Sequence, residues 1–391
     1  MRATASRIDL GQLFQSAEDA LGVQAMARPD ELHWAALVRL ASALAHAAHD
    51  EAPALRAARW EISVWIQSYV AFERDRAQYP QIAEVPVERP LFLVGFGRTG
   101  SSLLHNLLAL APQARAPLLW EVWTPSPPPG ADDGRARIEI ARHRVEFLAK
   151  HAPVVSLAHP MAPDAPDECH WMMRHSPLWV MLYDVPDYWA WLKSLSNAEL
   201  NQLYAHYRLQ VQHLTLFKRG YWVSKAFSHL HFMPVLHDVF PDARIIRLHR
   251  DPTAAIPSLC SLAQSRRSIY LSRVDPRAIG AGMLDLFLDG MARSMALDRA
   301  RPEAPVVDVH FSDLVADPIG TARRVLGVLG YPCDASAERA MQAYLEKAAA
   351  APAYQHRYSL EEFGLDRAEV LDRSAAYLAW AEARCGRSLV V

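Results

Sequence analysis

Apolar residues in this chain fall into two kinds of run. Near the N-terminus they recur at helical spacing. Leu32, Ala35, Leu37, Leu40 and Leu44 mark one stripe, and Trp60, Val64, Trp65, Tyr69 and Phe72 mark another, so residues 7–80 are predicted to be helical. Short continuous apolar runs come next. Leu91-Phe92-Leu93-Val94 is the first, and a run of that length suits a strand covered on both faces. Tyr221–Lys225, Ala243–His249 and Val306–Phe311 follow, each succeeded by a helical pattern. Strands alternating with helices predict a parallel α/β sheet. Further helices are predicted over 134–150 and 197–217, with Pro80–Pro90 as a linker and 124–133 (TPSPPPGADD) as a proline-rich loop. Residues 152–177 carry Pro153, Pro160, Pro163, Pro166 and Pro177 and read as a long irregular loop, a kind of segment that is usually functional inside a compact domain. The expected organisation is a helical N-terminal extension over 1–85 and an α/β domain over 86–391. The extension reads as a structural cap, with a substrate lid as the other reading.

The junction at 90–108, PLFLVGFGRTGSSLLHNLL, is the most informative stretch. A buried strand runs into three glycines, Gly95, Gly97 and Gly100. Ser101 and Ser102 then open a helix with Leu103, Leu104, Leu107 and Leu108 on one face. Backbone N–H groups at a helix start favour an anion, and glycine lets the backbone approach a phosphate closely. Gly95, Gly100 and Ser102 fit the GxxxxGK[ST] phosphate loop, but position 101 is Ser where that rule demands Lys. The cation sits inside the loop instead, at Arg98.

Composition narrows the class. The chain has 391 residues, about half of them apolar, and a formal charge of −2. It can bury a large core and exerts no general pull on nucleic acid or anionic membrane. Lysine occurs only at 150, 193, 218, 225 and 347, so each lysine carries more information than any one arginine. Cys169, Cys260, Cys333 and Cys385 form no CxxC pair and are expected to be buried thiols of a reducing compartment. Neither a signal-peptide core nor an 18-residue apolar segment is present, so a soluble cytoplasmic protein is expected.

Arg250-Asp251-Pro252 directly follows a strand, and Ser258 lies eight residues beyond Arg250. Arg is a bidentate phosphate ligand and Ser adds a neutral donor. The pair reads equally as a second phosphate site or as an Arg–carboxylate contact at a helix start.

Taken together, GFGRTGSSLLHNLL and RIIRLHRDPTAAIPSLCSL resemble the two donor-binding motifs of sulfotransferases that use 3′-phosphoadenosine-5′-phosphosulfate (PAPS). APLLWEVWTPSPPP, WVSKAFSHLHFMPVL, VHFSDLVADP and HRYSLEEFGL are similar to the bacterial branch with a helical N-terminus. The likeness covers roughly 85–370. It departs at Gly97, where Pro is common, at Ser101-Ser102, where Thr-Thr is common, and at Lys225-Ala226-Phe227, where relatives read Lys-Ser-Pro.

The resemblance implies a P-loop-like central parallel sheet flanked by helices, and sulfuryl transfer by positioning and charge stabilisation. It implies PAPS as co-substrate and no metal. Gly97, Arg98, Thr99, Gly100, Ser101 and Ser102 would hold the 5′-phosphosulfate. Arg250 and Ser258 would hold the 3′-phosphate, with His356 and Arg357 closing over it. Lys225 would neutralise the bridging oxygen. A hydroxyl acceptor needs a general base. Glu121 is the first choice, because some relatives place a catalytic Glu at that point. His170 is the second, and His159 and Glu168 are weaker. Aromatic residues at 171–191, with Met172, Met173 and Met181, point to an apolar small-molecule acceptor such as a lipid or secondary metabolite. Two other classes stay open. One is a P-loop nucleotide kinase or NTPase, disfavoured by Ser101. The other is a non-catalytic nucleotide-binding scaffold, which would need neither Glu121 nor Lys225.

Overall fold

The computed structural model of the chain describes residues 8–24, 28–48, 51–175, 183–269, 271–350 and 358–390. Three helices come first: α1 (Leu10–Leu21), α2 (Glu31–Ala47) and α3 (Ala52–Gln78). The first half of the sheet unit comprises β1 (Leu91–Gly95), α4 (Ser101–Leu108), β2 (Ala114–Arg115), α5 (Leu119–Trp123), α6 (Arg135–His151), α7 (Pro153–Ala158), α8 (Pro186–Ser194) and α9 (Asn197–Thr215). The second half comprises β3 (Tyr221–Lys225), α10 (Met233–Val239), β4 (Arg244–His249), α11 (Pro252–Arg267), α12 (Pro276–Ala300) and β5 (Val306–His310). The chain closes with α13 (Phe311–Ala316), α14 (Pro318–Leu329), α15 (Ala335–Ala349), α16 (Arg367–Arg373) and α17 (Ala375–Cys385).

The strands form one parallel sheet in the order β2-β3-β1-β4-β5. Each face is covered, as the continuous apolar runs require. Side chains of β1 alternate between two cores. Phe92 and Val94 join Trp222, Ile245 and the N-terminal helices, including Phe14, Leu40, Ile62 and Trp65. Leu91 and Leu93 join Leu104, Leu107 and Leu108 of α4 and Val325 and Leu326 of α14. The N-terminal helices therefore share a core with the sheet, and each fully buried Phe or Leu there is worth about 1.5–3 kcal/mol. A third cluster packs α11 and α12 against Val370 and Tyr377 of α16 and α17.

A charge inside β4 is accommodated by pairing. Arg247 is 1% exposed, and Asp308 grips its Nε and Nη2 at 2.7 and 2.9 Å while Asp298 takes Nη1 at 2.7 Å. Removing one carboxylate from such a buried set costs about 3–5 kcal/mol.

Two expectations change. Residues 152–177 are not wholly irregular: α7 and a 3₁₀ segment at Cys169–His175 lie within them. Pro153 occupies the start of α7, where a missing N–H is harmless and the fixed φ suits a helix. Counted as a breaker, that proline misleads. The linker likewise contains a 3₁₀ turn at Pro80–Glu84. All four cysteines are free; Cys169 and Cys260 are buried, and Cys333 and Cys385 are half-buried. Among the described residues no helix is long and apolar enough to cross a membrane.

Candidate active site

The strands deliver their chemistry at their carboxyl ends, where ligands bind in open α/β sheets. After β1 the chain turns through two left-handed residues, Arg98 at φ 70° and Gly100 at φ 84°. For Arg98 this conformation costs about 1–2 kcal/mol. A Cβ at Gly100 would come within 2.9 Å of Leu314, so only glycine fits that corner. Gly100 precedes α4 without a side-chain cap, leaving the helix start to Ser101 and Ser102 on a cavity wall. Thr99 is buried, and its hydroxyl donates to the Phe96 carbonyl at 2.9 Å; it braces the loop.

β3 brings Lys225 to this loop. Its ammonium donates to Ser102 Oγ at 3.0 Å and pairs with Glu168. β4 brings Arg250, whose Nη1 donates to the Arg98 carbonyl at 2.5 Å and whose guanidinium lies 4.2 Å from the Phe311 ring centre. Arg98 Nε in turn donates to Ser258 Oγ at 3.0 Å. Asp251 is occupied in capping α11, accepting from the Thr253 amide at 2.8 Å and hydroxyl at 2.7 Å, so it is not the partner of Arg250. Gly97, Arg98, Gly100, Ser101, Ser102, Lys225 and Arg250 line one cavity of about 330 Å³. Burial holds the Arg250 guanidinium below its ordinary value, in part offset by Tyr358. His356 and Arg357 lie outside the described residues.

The opposite wall comes from the 3₁₀ segment and the residues before it. Glu168 and His170 line the cavity, with His159 and Trp171 beside them. His170 Nδ1 donates to Glu168 Oε2 at 2.8 Å; the other carboxylate oxygen meets Lys225. Burial alone would raise the Glu168 carboxyl. The Lys225 ammonium and the His170 imidazole outweigh it and hold the group well below the usual carboxylate range. Burial lowers the His170 imidazole, and Glu168 restores only part of the loss. His170 is therefore neutral at pH 7, with Nδ1 as donor and Nε2 as the basic nitrogen. His159 lies 3.7 Å from Asp167.

Glu121 stands elsewhere. Its carboxylate is fully buried, 2.8 Å from Arg115 and 3.1 Å from Lys218, and it accepts from the Leu118 amide at 2.9 Å. It caps α5 and does not line the cavity. The resemblance points to it, but α5 turns this carboxylate toward Arg115 and Lys218. The carboxylate that does reach Lys225 is Glu168, in DECHW on the proline-rich stretch. Phe311, Trp171 and Arg266 also line the cavity. Phe311 has a legible signal, since it directly follows the last strand; Arg266 has none.

Behind the wall lies a buried hydrogen-bonded set. Ser224 Oγ sits 2.8 Å from His229 Nε2 and 2.9 Å from Cys169 Sγ, and Tyr204 bonds the other His229 nitrogen. It fastens the backbone beside Glu168 to the backbone beside Lys225. Burial lowers the His229 imidazole to about 3, so this set stays uncharged.

A second, larger cavity of about 630 Å³ adjoins the first. Leu148, Trp171 and Arg266 line both. Tyr183 lines the larger one, whereas Met172 and Met173 are core residues; Trp179 and Met181 lie outside the described residues. Among the described residues no cluster of metal-binding side chains occurs.

A parallel sheet with a glycine loop after its central strand, and basic residues after the two neighbouring strands, is the arrangement of the P-loop-like class. The model of the sulfotransferase family matches residues 90–335, and the chain belongs to that family. It is 26% identical over 268 residues to omega-hydroxy-beta-dihydromenaquinone-9 sulfotransferase Stf3 of Mycobacterium bovis and of Mycobacterium tuberculosis. That alignment takes in 64% of this chain and 65% of each relative, just under two thirds of their length. The crystal structure of sulfotransferase STF1 from Mycobacterium tuberculosis superposes with a TM-score of 0.79 at 26% identity, over 95% of this chain and 99% of that one. Sulfotransferase STF9 from Mycobacterium avium shares the fold, with a TM-score of 0.82 at 21% identity over 95% of this chain and 96% of that one.

Proposed function

We propose that this sulfotransferase moves the sulfuryl group of PAPS to the hydroxyl of a small apolar acceptor. The observation that carries the reading is the convergence of Lys225 and Arg250 with the Arg98 loop on the wall of the smaller cavity, where Glu168 is the one carboxylate among the described lining residues. A surplus of cations fits a ligand with several anionic groups. PAPS supplies the sulfuryl group and a bisphosphate leaving group when bound. The start of α4, with Arg98, Ser101 and Ser102, holds the 5′ end, and Arg250 with Ser258 holds the 3′-phosphate.

In the reaction, the acceptor oxygen forms a bond to sulfur as the bond from sulfur to the bridging oxygen breaks. His170 Nε2 takes the hydroxyl proton. Glu168 holds the imidazole by its Nδ1 proton and stabilises the imidazolium that forms. Lys225 faces the oxygen that gains charge on leaving. The same relatives support an apolar acceptor: Stf3 is named for a hydroxylated menaquinone.

Calorimetric titration with adenosine 3′,5′-bisphosphate, ATP and 5′-AMP, without added metal, tests the donor site. The bisphosphate should bind most tightly, and Arg250→Ala should weaken it by about tenfold or more, the loss of charge-assisted hydrogen bonds to one phosphate. Preference for ATP, strengthened when the titration is repeated with magnesium, would favour a kinase, and binding by none of the three would refute the donor reading.

A further inference from the structure

The larger cavity carries a charge pattern that a purely apolar acceptor does not use. Its volume is within the range of about 300–1,000 Å³ typical of small-molecule sites, and most of its wall is apolar, from Leu44, Ala58 and Val64 to Leu271. Yet Arg144, Arg174 and Arg266 also line it, and Glu61 is the only carboxylate among its described lining residues. Glu61 is already engaged, accepting from the Trp65 indole at 3.0 Å and the Tyr183 hydroxyl at 2.7 Å. Arg174 is 5% exposed and donates to the Trp171 and Val122 carbonyls. Among the described residues no carboxylate lies within ion-pair distance of Arg144.

The electrostatics agree with that geometry. Burial lowers the Arg174 guanidinium to about 10; Glu61 counters this, while Arg144 and Arg266 add to it. Burial lowers Arg144 as well, with Glu61 in partial opposition. Arg144 and Arg174, set in an apolar wall with no ion-pair partner among the described residues, leave a local field that favours an incoming anion.

Position gives the field a direction. Arg144 and Leu148 are four residues apart on α6 and so share one helix face. Leu148 lines both cavities, and Arg144, one helical turn away, lines the larger one only. Trp60, Phe147 and Ile269 line the same cavity while remaining 59%, 58% and 41% exposed. An apolar chain thus has a greasy mouth on one side and the His170 wall on the other.

We infer that the larger cavity takes an amphiphilic acceptor bearing a carboxylate, with the carboxylate held at Arg144 and the hydroxyl presented through the Leu148–Trp171 seam to His170. This rests on the sulfotransferase reading and narrows its acceptor from apolar to anionic amphiphile.

The test uses ω-hydroxy fatty acids from octanoate to palmitate and their methyl esters, titrated calorimetrically into the full chain at neutral pH below their micelle concentrations. The expected result is an acid that binds about tenfold more tightly than its own ester, the size of one charge-assisted hydrogen bond. That ratio should collapse toward one in Arg144→Gln and survive in Arg144→Lys. Equal affinity for acid and ester across the series overturns the inference, as does an undiminished ratio in Arg144→Gln. Titration of adenosine 3′,5′-bisphosphate into the same samples separates the two readings. If the bisphosphate binds and no acid is preferred, the acceptor inference alone fails. If an acid is preferred and the bisphosphate does not bind, the donor reading fails.

Discussion

Replacing Glu168 by glutamine removes one charge and keeps the shape. In the native protein that carboxylate serves two partners, the Lys225 ammonium and His170 Nδ1 at 2.8 Å. Its side chain is 14% exposed and that of Lys225 only 5%, so solvent screens the pair weakly. Glutamine still accepts from His170 but leaves Lys225 as a buried cation without its counter-charge. Breaking a buried pair in this way costs about 3–5 kcal/mol, and the cavity beside it brings the expectation to the low end, about 3 kcal/mol. Unfolding entropy of about 2.1 cal/mol/K per residue over 391 residues gives about 0.8 kcal/mol/K, so Tm should fall by about 4 °C.

The effect depends on pH in a fixed direction. Glu168 titrates lower in the folded chain than in the unfolded one. Its stabilisation is therefore complete above the unfolded value of about 4.3 and is lost as pH falls through the lower folded value. Calorimetric Tm values of native and Glu168→Gln protein should differ by the full amount at pH 7 and converge in acid below about pH 4. No gap at pH 7, or a gap that widens on acidification, would refute the ion-pair account.

Two further predictions separate the candidate bases. His170→Ala should lower kcat by about 10²–10⁴-fold, the usual contribution of a positioned base, while leaving bisphosphate affinity within about twofold of native, a change of about 0.4 kcal/mol or less. Glu121→Gln should do the reverse. Its carboxylate is held between Arg115 and Lys218, so stability falls as for a broken buried pair, by about 3–5 kcal/mol or about 4–6 °C in Tm, and turnover per folded molecule is retained. A normal Tm with lost turnover would return Glu121 to the role of base.

The anion loop was readable because every feature of it is local. A four-residue apolar run, three glycines and two hydroxyls at a helix start lie within twelve consecutive residues, and backbone geometry needs no distant partner to orient them. Lys225 and Arg250 were readable for a related reason, since each ends a strand of a parallel sheet and all such ends face one crevice. Glu168 and Glu121 are harder to rank from the chain alone, because neither ends a strand. Which side of a short helix a carboxylate faces depends on what packs there, and the Arg115 and Lys218 that claim Glu121 are six and 97 residues away.

The sequence by itself determined the element types, the parallel sheet, the phosphate-type loop and the family resemblance, because periodicity, strand ends and glycine stereochemistry are properties of neighbouring residues. It also marked α2 and α3 as amphipathic, through stripes such as Leu37, Leu40 and Leu44, which are buried. Trp60 sat in the same pattern as Trp65, yet Trp65 is core and Trp60 is 59% exposed at the mouth of the larger cavity. Only the tertiary structure decided that difference, the joining of the N-terminal helices to the sheet core, the His170–Glu168–Lys225 arrangement and the arginine-lined cavity. Each is an association between segments far apart in the chain. Its geometry is set by packing and by the hydrogen bonds and ion pairs that buried polar groups make across the fold, which no local pattern encodes.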